Sequence, residues 1–421
     1  VGSTCKEVGE AAPSQTYLRL MDCIYSFFFN FLLLYILVYN NLILLILINI
    51  MSCLVVGCGL SGVVIAEQIA NKLNKHVTII EKRNHIGGNC YDYIEDNTGI
   101  LMNKYGAHIF HTNNEVVWNY INKFDKWIRW DHKVLAFVDD KYVSIPVNIT
   151  TINDLCNENL QNEEDVNKWL EKNQIKYDSI INSEQIAKSR IGTVLYDKLI
   201  KDYTFKQWNK YPNELDKSVL ERIPIRSNFD TRYFNDKYQA LPHKGYTHFF
   251  QKILDNKNID VKLNTDYFDF IKTNNNYHMT IFTGPIDSYF PNLEKLEYRS
   301  IDFNIEIKKN MNFFQPNSVV NYPSASVPYT RIIEYKHFFN QKSNDTVIVT
   351  EKTNNVGEPY YPVPTKKNLD LYQQYKNLAK NEESNNVYFV GRLANYKYFN
   401  MDEAIFNSIE FFNNVIIKKY K

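Results

Sequence analysis

Apolar positions run along this chain in two different rhythms. Cys53-Leu54-Val55-Val56 is an unbroken apolar run of four, as in a strand covered on both faces. It leads directly into Gly57-Cys58-Gly59-Leu60-Ser61-Gly62 and then a helical pattern from Val63 to Leu73. A second run, His76 to Ile80, predicts the next strand and ends at Glu81. Strand, glycine turn, helix and strand in that order predict a parallel βαβ unit. After Asn148 the pattern becomes charged and Asn-rich, and Asn153 to Glu171 and Ser183 to Asp202 predict an inserted helical region. Between Ile259 and Val349, alternating segments such as Val261-Lys262-Leu263, Tyr298 to Ile307 and Thr346 to Val349 predict antiparallel strands. Val387 to Arg392 reads as a further buried strand ending in Gly391-Arg392, followed by a helix from Met401 to Ile417.

The folded region is expected to start at Met51, because the preceding residues have a different character. Cys23 to Ile50 is long and apolar enough to span a bilayer, but Asn30, Asn40, Asn41 and Asn49 interrupt it and no Lys/Arg cluster follows. Residues 1–50 are expected to be upstream read-through or a membrane anchor. Contact with a membrane is expected only if residues 23–50 are a real anchor.

Composition narrows the function classes. The 48 Lys and Arg balance 47 Asp and Glu, so no bulk positive field exists to hold a nucleic-acid backbone. A 44% hydrophobic and 15% aromatic chain can bury a substantial core. The six cysteines form no CxxC pair or His-spaced cluster, which argues against structural zinc or a disulfide scaffold and fits a reducing, cytoplasmic setting. Cys58 and Cys90 are expected to be small fillers in tight turns.

The glycine turn carries the first chemistry. In GxGxxG after a strand, Gly57 makes the tight turn, Gly59 admits a pyrophosphate to the backbone, and Gly62 lets helix and strand pack. Ser61 lies in the same turn, and the helix N-terminus faces the phosphates. Glu81, 19 residues after Gly62, is placed to accept from ribose hydroxyls. The continuation Glu81-Lys82-Arg83-Asn84-His85-Ile86-Gly87-Gly88-Asn89 resembles the glycine doublet of FAD proteins of the amine-oxidase and glutathione-reductase type. The Gly391-Arg392 strand end and the Met401 helix resemble their second FAD contact. The expected fold is therefore α/β: a discontinuous Rossmann-type FAD-binding domain (51–130, 205–255, 365–421), a helical substrate or lid domain (150–204), and an antiparallel β-sheet domain (131–149, 256–364).

Longer strings carry a more specific resemblance. IEKRNHIGGN (80–89), KYGAHIFHTN (104–113), DYTFKQW (202–208), ERIPIR (221–226), IFTGPID (281–287), LEYRS (296–300), VPYTRIIEYKHF (327–338), GEPYYPV (357–363) and GRLANYKYFNMD (391–402) are collinear with the UDP-galactopyranose mutase family, which the chain resembles from about Cys53 to Val415. The resemblance implies a flavoenzyme that interconverts the pyranose and furanose forms of UDP-galactose for glycan or cell-wall building. It implies reduced FAD as nucleophile through N5, a flavin-sugar iminium, no net redox change, and NAD(P)H or another external reductant to keep FAD reduced.

The same strings imply roles for individual residues. Arg222 and Arg331 match two diphosphate-binding arginines, Arg222 on a mobile lid. Tyr233, Tyr361 or its neighbour Tyr360, and Tyr398 match phenol donors around the phosphates. Tyr203 matches the residue on which uracil stacks, and Trp208 an aromatic near the sugar. Leu199 and Ile200 stand where some members have aromatics. His108 matches the histidine beside the flavin; His111 is expected to be structural, and His132 to reach the site. Asn400 stands where several bacterial relatives have Asp, with retained activity expected. No metal is expected, and the resemblance implies a homodimer. The competing expectations are an FAD-dependent amine-oxidase-type oxidoreductase and an inactive UDP-sugar-binding homologue.

Overall fold

A computed structural model describes residues 31–39, 52–221 and 223–420. Residues 31–39 are helical and exposed. Most of the apolar stretch at 23–50 lies outside the described residues, as does Arg222. Among the described residues no helix is long and apolar enough to cross a membrane.

The sequence opens a parallel sheet, as its apolar runs require. Five strands lie in the order Ile259–Lys262, Val77–Ile80, Cys53–Val56, Met279–Phe282 and Val387–Phe389, every neighbouring pair parallel. Cys53–Val56 and Val77–Ile80 are buried throughout. The helix Leu60–Lys72 packs on this sheet through Val63, Val64, Ile65 and Ile69, all fully buried.

The strand carrying Val261 is not part of the antiparallel sheet; it pairs in parallel with Val77–Ile80. As an edge strand it is covered on one face only, so its residues alternate just as those of an antiparallel strand do. The helix Tyr246–Leu254 immediately before it supplies the crossover that parallel pairing requires.

The second sheet has seven strands in the order Tyr361–Pro362, Tyr298–Lys308, Thr346–Asn354, Arg331–Glu334, Val319–Asn321, Val134–Val138 and Lys141–Ile145. It is antiparallel except where Val319–Asn321 meets Val134–Val138 in parallel. A three-stranded ribbon of Phe110–Thr112, Tyr238–Pro242 and Trp127–Arg129 lies between the two regions in sequence.

The Asn-rich stretch folds into helices Ile149–Cys156, Glu163–Asn173 and Ser183–Leu195 because its asparagines cap them. The side chains of Asn148, Asn162 and Asn182 each accept the backbone N–H three residues on, at 3.0 Å. Each such cap stabilises its helix by about 1 kcal/mol. Gly192 breaks the third helix at φ +73°, where a Cβ would lie 2.5 Å from the Asn173 carbonyl. The chain continues through a π-helical turn, Tyr196–Lys201, into the short helix Asp202–Trp208. This helix brings Tyr203, Lys206 and Trp208 against the seven-stranded sheet.

Candidate functional site

Two recesses stand out in the fold. The first is a cleft of about 360 Å³ above the ends of the parallel strands. Gly57, Gly59, Ser61, Glu81, Lys82, Arg83, Gly87, Gly88, Asn89, His108, Gly391, Arg392, Asn400 and Met401 all line it. Gly62 does not; a Cβ there would sit 2.1 Å from the Gly57 carbonyl and 3.0 Å from Val55 Cγ1, so its part is close helix-to-strand packing.

The cleft is built for a dinucleotide. Gly57 has φ +102°, and a Cβ would stand 2.3 Å from Thr283 Oγ1. A Cβ on Gly88 would lie 2.8 Å from the Gly59 Cα, so the two glycine turns touch. Gly59 caps the first helix without a side-chain hydrogen bond, which leaves the first-turn N–H groups facing the cleft with no acidic residue among them. Glu81 is anchored rather than mobile: Oε2 accepts from Cys58 N at 2.9 Å and Oε1 from Arg83 N at 3.0 Å. Each oxygen keeps a second lone pair for a ribose hydroxyl. Cys58 and Cys90 are buried, and burial pushes each thiol up to about 12, so they act as inert fillers.

Arg83 and Lys82 are organised by a residue that the sequence reading missed. Glu358 accepts from Lys82 Nζ at 2.8 Å and Arg83 Nη2 at 3.4 Å, while Arg83 Nη1 donates to Asn89 Oδ1 at 2.9 Å. The Arg83 guanidinium also lies 4.5 Å over the Tyr105 ring.

His108 lines the same cleft. Its Nδ1 donates to the Gly106 carbonyl at 2.8 Å, which leaves Nε2 as the acceptor. Burial, with Arg392 and Arg331 nearby, pushes its pKa down to about 4, so it is neutral near pH 7. His111 pairs with Asp236 Oδ2 at 3.0 Å and stacks on Phe234 at 3.7 Å. His132 is 3% exposed, accepts from Trp130 Nε1 and packs among Tyr233, Phe234 and Phe338, behind the cavity wall rather than on it.

The second recess is an apolar cavity of about 100 Å³ between the helical region and the sheet. Tyr203 and Tyr233 line it, together with Leu199, Ile200, Ile223 and Ile225; Asn321 and Arg190 are among its polar lining groups.

Arg331 lies near residues of both recesses without lining either. It lies opposite Glu351 in register on the neighbouring strand, and its Nε donates to Glu351 Oε2 at 2.6 Å. The buried carboxylate holds the guanidinium firmly protonated. The Arg331 charge is felt by His108 on one side and by Tyr203 and Tyr361 on the other. Glu351 was not singled out from sequence. Its other oxygen, Oε1, is buried without a partner and lies 2.7 Å from where a Gly106 Cβ would be.

Tyr361 and Tyr398 stack at 5.4 Å, Trp208 lies 6.2 and 6.5 Å from them, and Arg392 sits over both tyrosine rings. Tyr360 points instead to Tyr105 and Phe303. Burial pushes the Tyr361 phenol up to about 12, which keeps it a donor. Asn400 begins the helix Met401–Phe411, its N–H donating to Glu403 Oε2 at 2.7 Å.

Comparison with known proteins agrees with this geometry. The family described as UDP-galactopyranose mutase matches residues 198–398, and the NAD(P)-binding Rossmann-like domain matches residues 55–124. The chain is 37% identical to a probable UDP-galactopyranose mutase of Klebsiella pneumoniae, over 86% of this chain and 95% of that protein. It is 35% identical to a dTDP-fucopyranose mutase of Escherichia coli, over 85% and 96%. It is 34% identical to a UDP-galactopyranose mutase of Mycoplasma genitalium, over 86% and 94%. A crystal structure of a reduced UDP-galactopyranose mutase superimposes with a TM-score of 0.69 at 16% identity, over 87% of this chain and 96% of that one.

Proposed function

The chain belongs to the UDP-galactopyranose mutase family, and from that premise we propose that it interconverts UDP-galactopyranose and UDP-galactofuranose on bound FAD. It is an isomerase of sugar nucleotides. The observation that carries the substrate reading is Arg331, a half-buried cation held by Glu351, whose charge reaches His108 in the dinucleotide cleft and Tyr203 in the wall of the apolar cavity.

Reduced flavin, when bound, supplies a nucleophilic nitrogen for chemistry at the anomeric carbon. The residues do the rest. Losing the nucleoside diphosphate from that carbon develops negative charge on its phosphates, and fixed donors aimed there lower the barrier. Arg331 spends Nε on Glu351 and so has its terminal nitrogens for a phosphate, in a fixed orientation. Tyr361 and Tyr398 add phenol donors, and Arg222 is the second diphosphate cation in this reading. Neutral His108 offers Nε2 as an acceptor at the reacting end of the cleft, and Tyr203 gives the pyrimidine a ring to stack on. Carbon–oxygen bonds are broken and remade with no electrons gained or lost overall, so NAD(P)H or another donor serves only to prepare the flavin.

A thymidine-linked sugar is the second reading. It is favoured by the aliphatic cavity wall of Leu199, Ile200, Ile223 and Ile225, which suits a 5-methyl group, and by the similarity to the dTDP-fucopyranose mutase.

The test is to isolate the flavoprotein, reduce it anaerobically, and separate the pyranose and furanose isomers chromatographically after adding UDP-galactofuranose or a dTDP-hexofuranose. Conversion of UDP-galactofuranose in the reduced state only is the expected result. Turnover of the dTDP sugar alone would replace the first reading with the second. Net oxidation of substrate would remove both.

A further inference from the structure

Lys206 lies one turn beyond Tyr203 on the helix Asp202–Trp208. Its ammonium is surrounded by the backbone carbonyls of Tyr322, Ser324, Val327 and Tyr329, the last three at 2.8, 3.3 and 2.9 Å. An ammonium has three N–H groups, so four carbonyls give it more acceptors than it can use at once. Such a cage suits a compact cation held by converging dipoles. Burial lowers the Lys206 pKa to about 8, against the opposing pull of Asp202.

The caged turn occupies a position that matters for substrate. It joins Val319–Asn321 to Arg331–Glu334, two paired strands, and Tyr322 N donates to the Thr330 carbonyl at 2.8 Å where the hairpin begins to open. Asn321 and Pro323, at its near end, line the apolar cavity that Tyr203 also lines. Arg331 follows two residues after Tyr329. The helix is held on its other side by Arg299, which donates to the Lys206 and Gln207 carbonyls at 3.2 and 3.0 Å.

We propose that Lys206 is a positioning residue of the substrate site: its ammonium clasps the helix carrying Tyr203 to the turn that precedes Arg331, and so fixes the spacing between the base-side and diphosphate-side walls. This rests on the sugar-nucleotide reading of the site. The clasp acts on the base end, whose contact with Tyr203 is alike before and during reaction, while the Arg331 guanidinium stays oriented by Glu351. Its loss therefore raises KM with little change in kcat.

The test compares wild-type holoenzyme with Lys206→Met and Lys206→Ala, using UDP titration by calorimetry together with kinetics on UDP-galactofuranose. The expected result is at least tenfold weaker UDP binding and an equally raised KM, kcat within threefold, and normal flavin content. In Lys206→Ala, n-propylammonium replaces the missing atoms and restores KM, whereas n-propanol does not. A lysine that merely supported folding would lower the active fraction, and with it the apparent kcat, at unchanged KM. That outcome overturns the proposal, as do a KM within twofold of wild type, equal rescue by propanol, or loss of flavin from both variants. Failure of wild-type enzyme to isomerise UDP-galactofuranose would count against the activity reading alone, because the UDP titration judges the clasp independently.

Discussion

Replacing Arg331 with Met tests whether the site cation and its carboxylate form one unit. Glu351 is 1% exposed and holds Arg331 Nε at 2.6 Å, with Oε1 already lacking a partner. Without the guanidinium, that carboxylate must stay charged and unpaired, or take up a proton. At an effective dielectric of about 20, two charges some 4 Å apart interact by about 4 kcal/mol, and measured losses on breaking buried pairs are about 3–5 kcal/mol. Arg331→Met and Glu351→Met should therefore each destabilise the holoprotein by roughly that amount. The double variant, which buries neither charge, should lose much less than the sum, with a coupling of about 2 kcal/mol or more. Urea unfolding followed through the five tryptophans and through flavin release measures the three variants. Activity should not recover with stability. The double variant still lacks the proposed phosphate donor, and kcat should stay down by about 10²–10³. Additive stabilities, with coupling below about 0.5 kcal/mol, would refute the argument that Glu351 exists to hold Arg331.

Three further outcomes follow from single positions. Gly57→Ala forces a side chain into a backbone at φ +102° and onto Thr283 Oγ1, so the purified protein should lose its visible flavin absorbance; retained flavin would show that the glycine turn is not the phosphate cradle. Burial first, then the neighbouring Arg331 and His111, hold His132 down to about 3, below its usual value of about 6.5. The unfolded chain therefore binds a proton that the folded one refuses, so this stability is complete above about pH 6.5 and is lost as pH falls toward 3. His132→Gln should flatten that part of the acid-unfolding curve, and an unchanged curve would place the lability elsewhere. Asn400→Asp puts a carboxylate at a helix N-terminus, where it is tolerated. We expect stability within about 0.5 kcal/mol and a change in kcat below threefold, whereas a gain above tenfold would make the missing carboxylate an essential one.

What was legible in the sequence depended on how far a residue's partner lies along the chain. The dinucleotide opening could be read because strand, glycines, helix and acid are consecutive, and Gly62 meets Gly57 within one turn. The helical region could be read from its periodicity but its caps were not, so the stretch Asn153 to Glu171 runs across two helices, Ile149–Cys156 and Glu163–Asn173, that Asn148 and Asn162 cap separately. The strand Ile259–Lys262 was misassigned because its alternation reports one-sided cover, which parallel edges and antiparallel strands share. Tyr360 and Tyr361 could not be separated by string alone. Neighbours in an extended segment face opposite ways, and only the packed structure sends Tyr361 toward Tyr398 and Tyr360 toward Tyr105.

Glu351 and Lys206 were invisible for a stronger reason. Glu351 acquires its meaning from a strand register that sets it opposite Arg331, and Lys206 from a turn 116 to 123 residues downstream. Neither residue type at either position has a local pattern to announce it, because a charged side chain on an amphipathic element ordinarily faces water. Each is also costly to bury alone, and its burial is stable only because a partner of complementary charge or dipole is delivered from elsewhere. Both partners sit on the hairpin around Arg331: the Glu351 pair ties two strands of the sheet together, and the Lys206 cage ties the helix Asp202–Trp208 to the turn before Arg331. Apolar packing of Ala136, Val138 and Val143 against Ile191, Leu195 and Leu199 holds the helical region to the sheet as a whole, and the Lys206 cage with Arg299 sets the local placement of the helix Asp202–Trp208 against the hairpin.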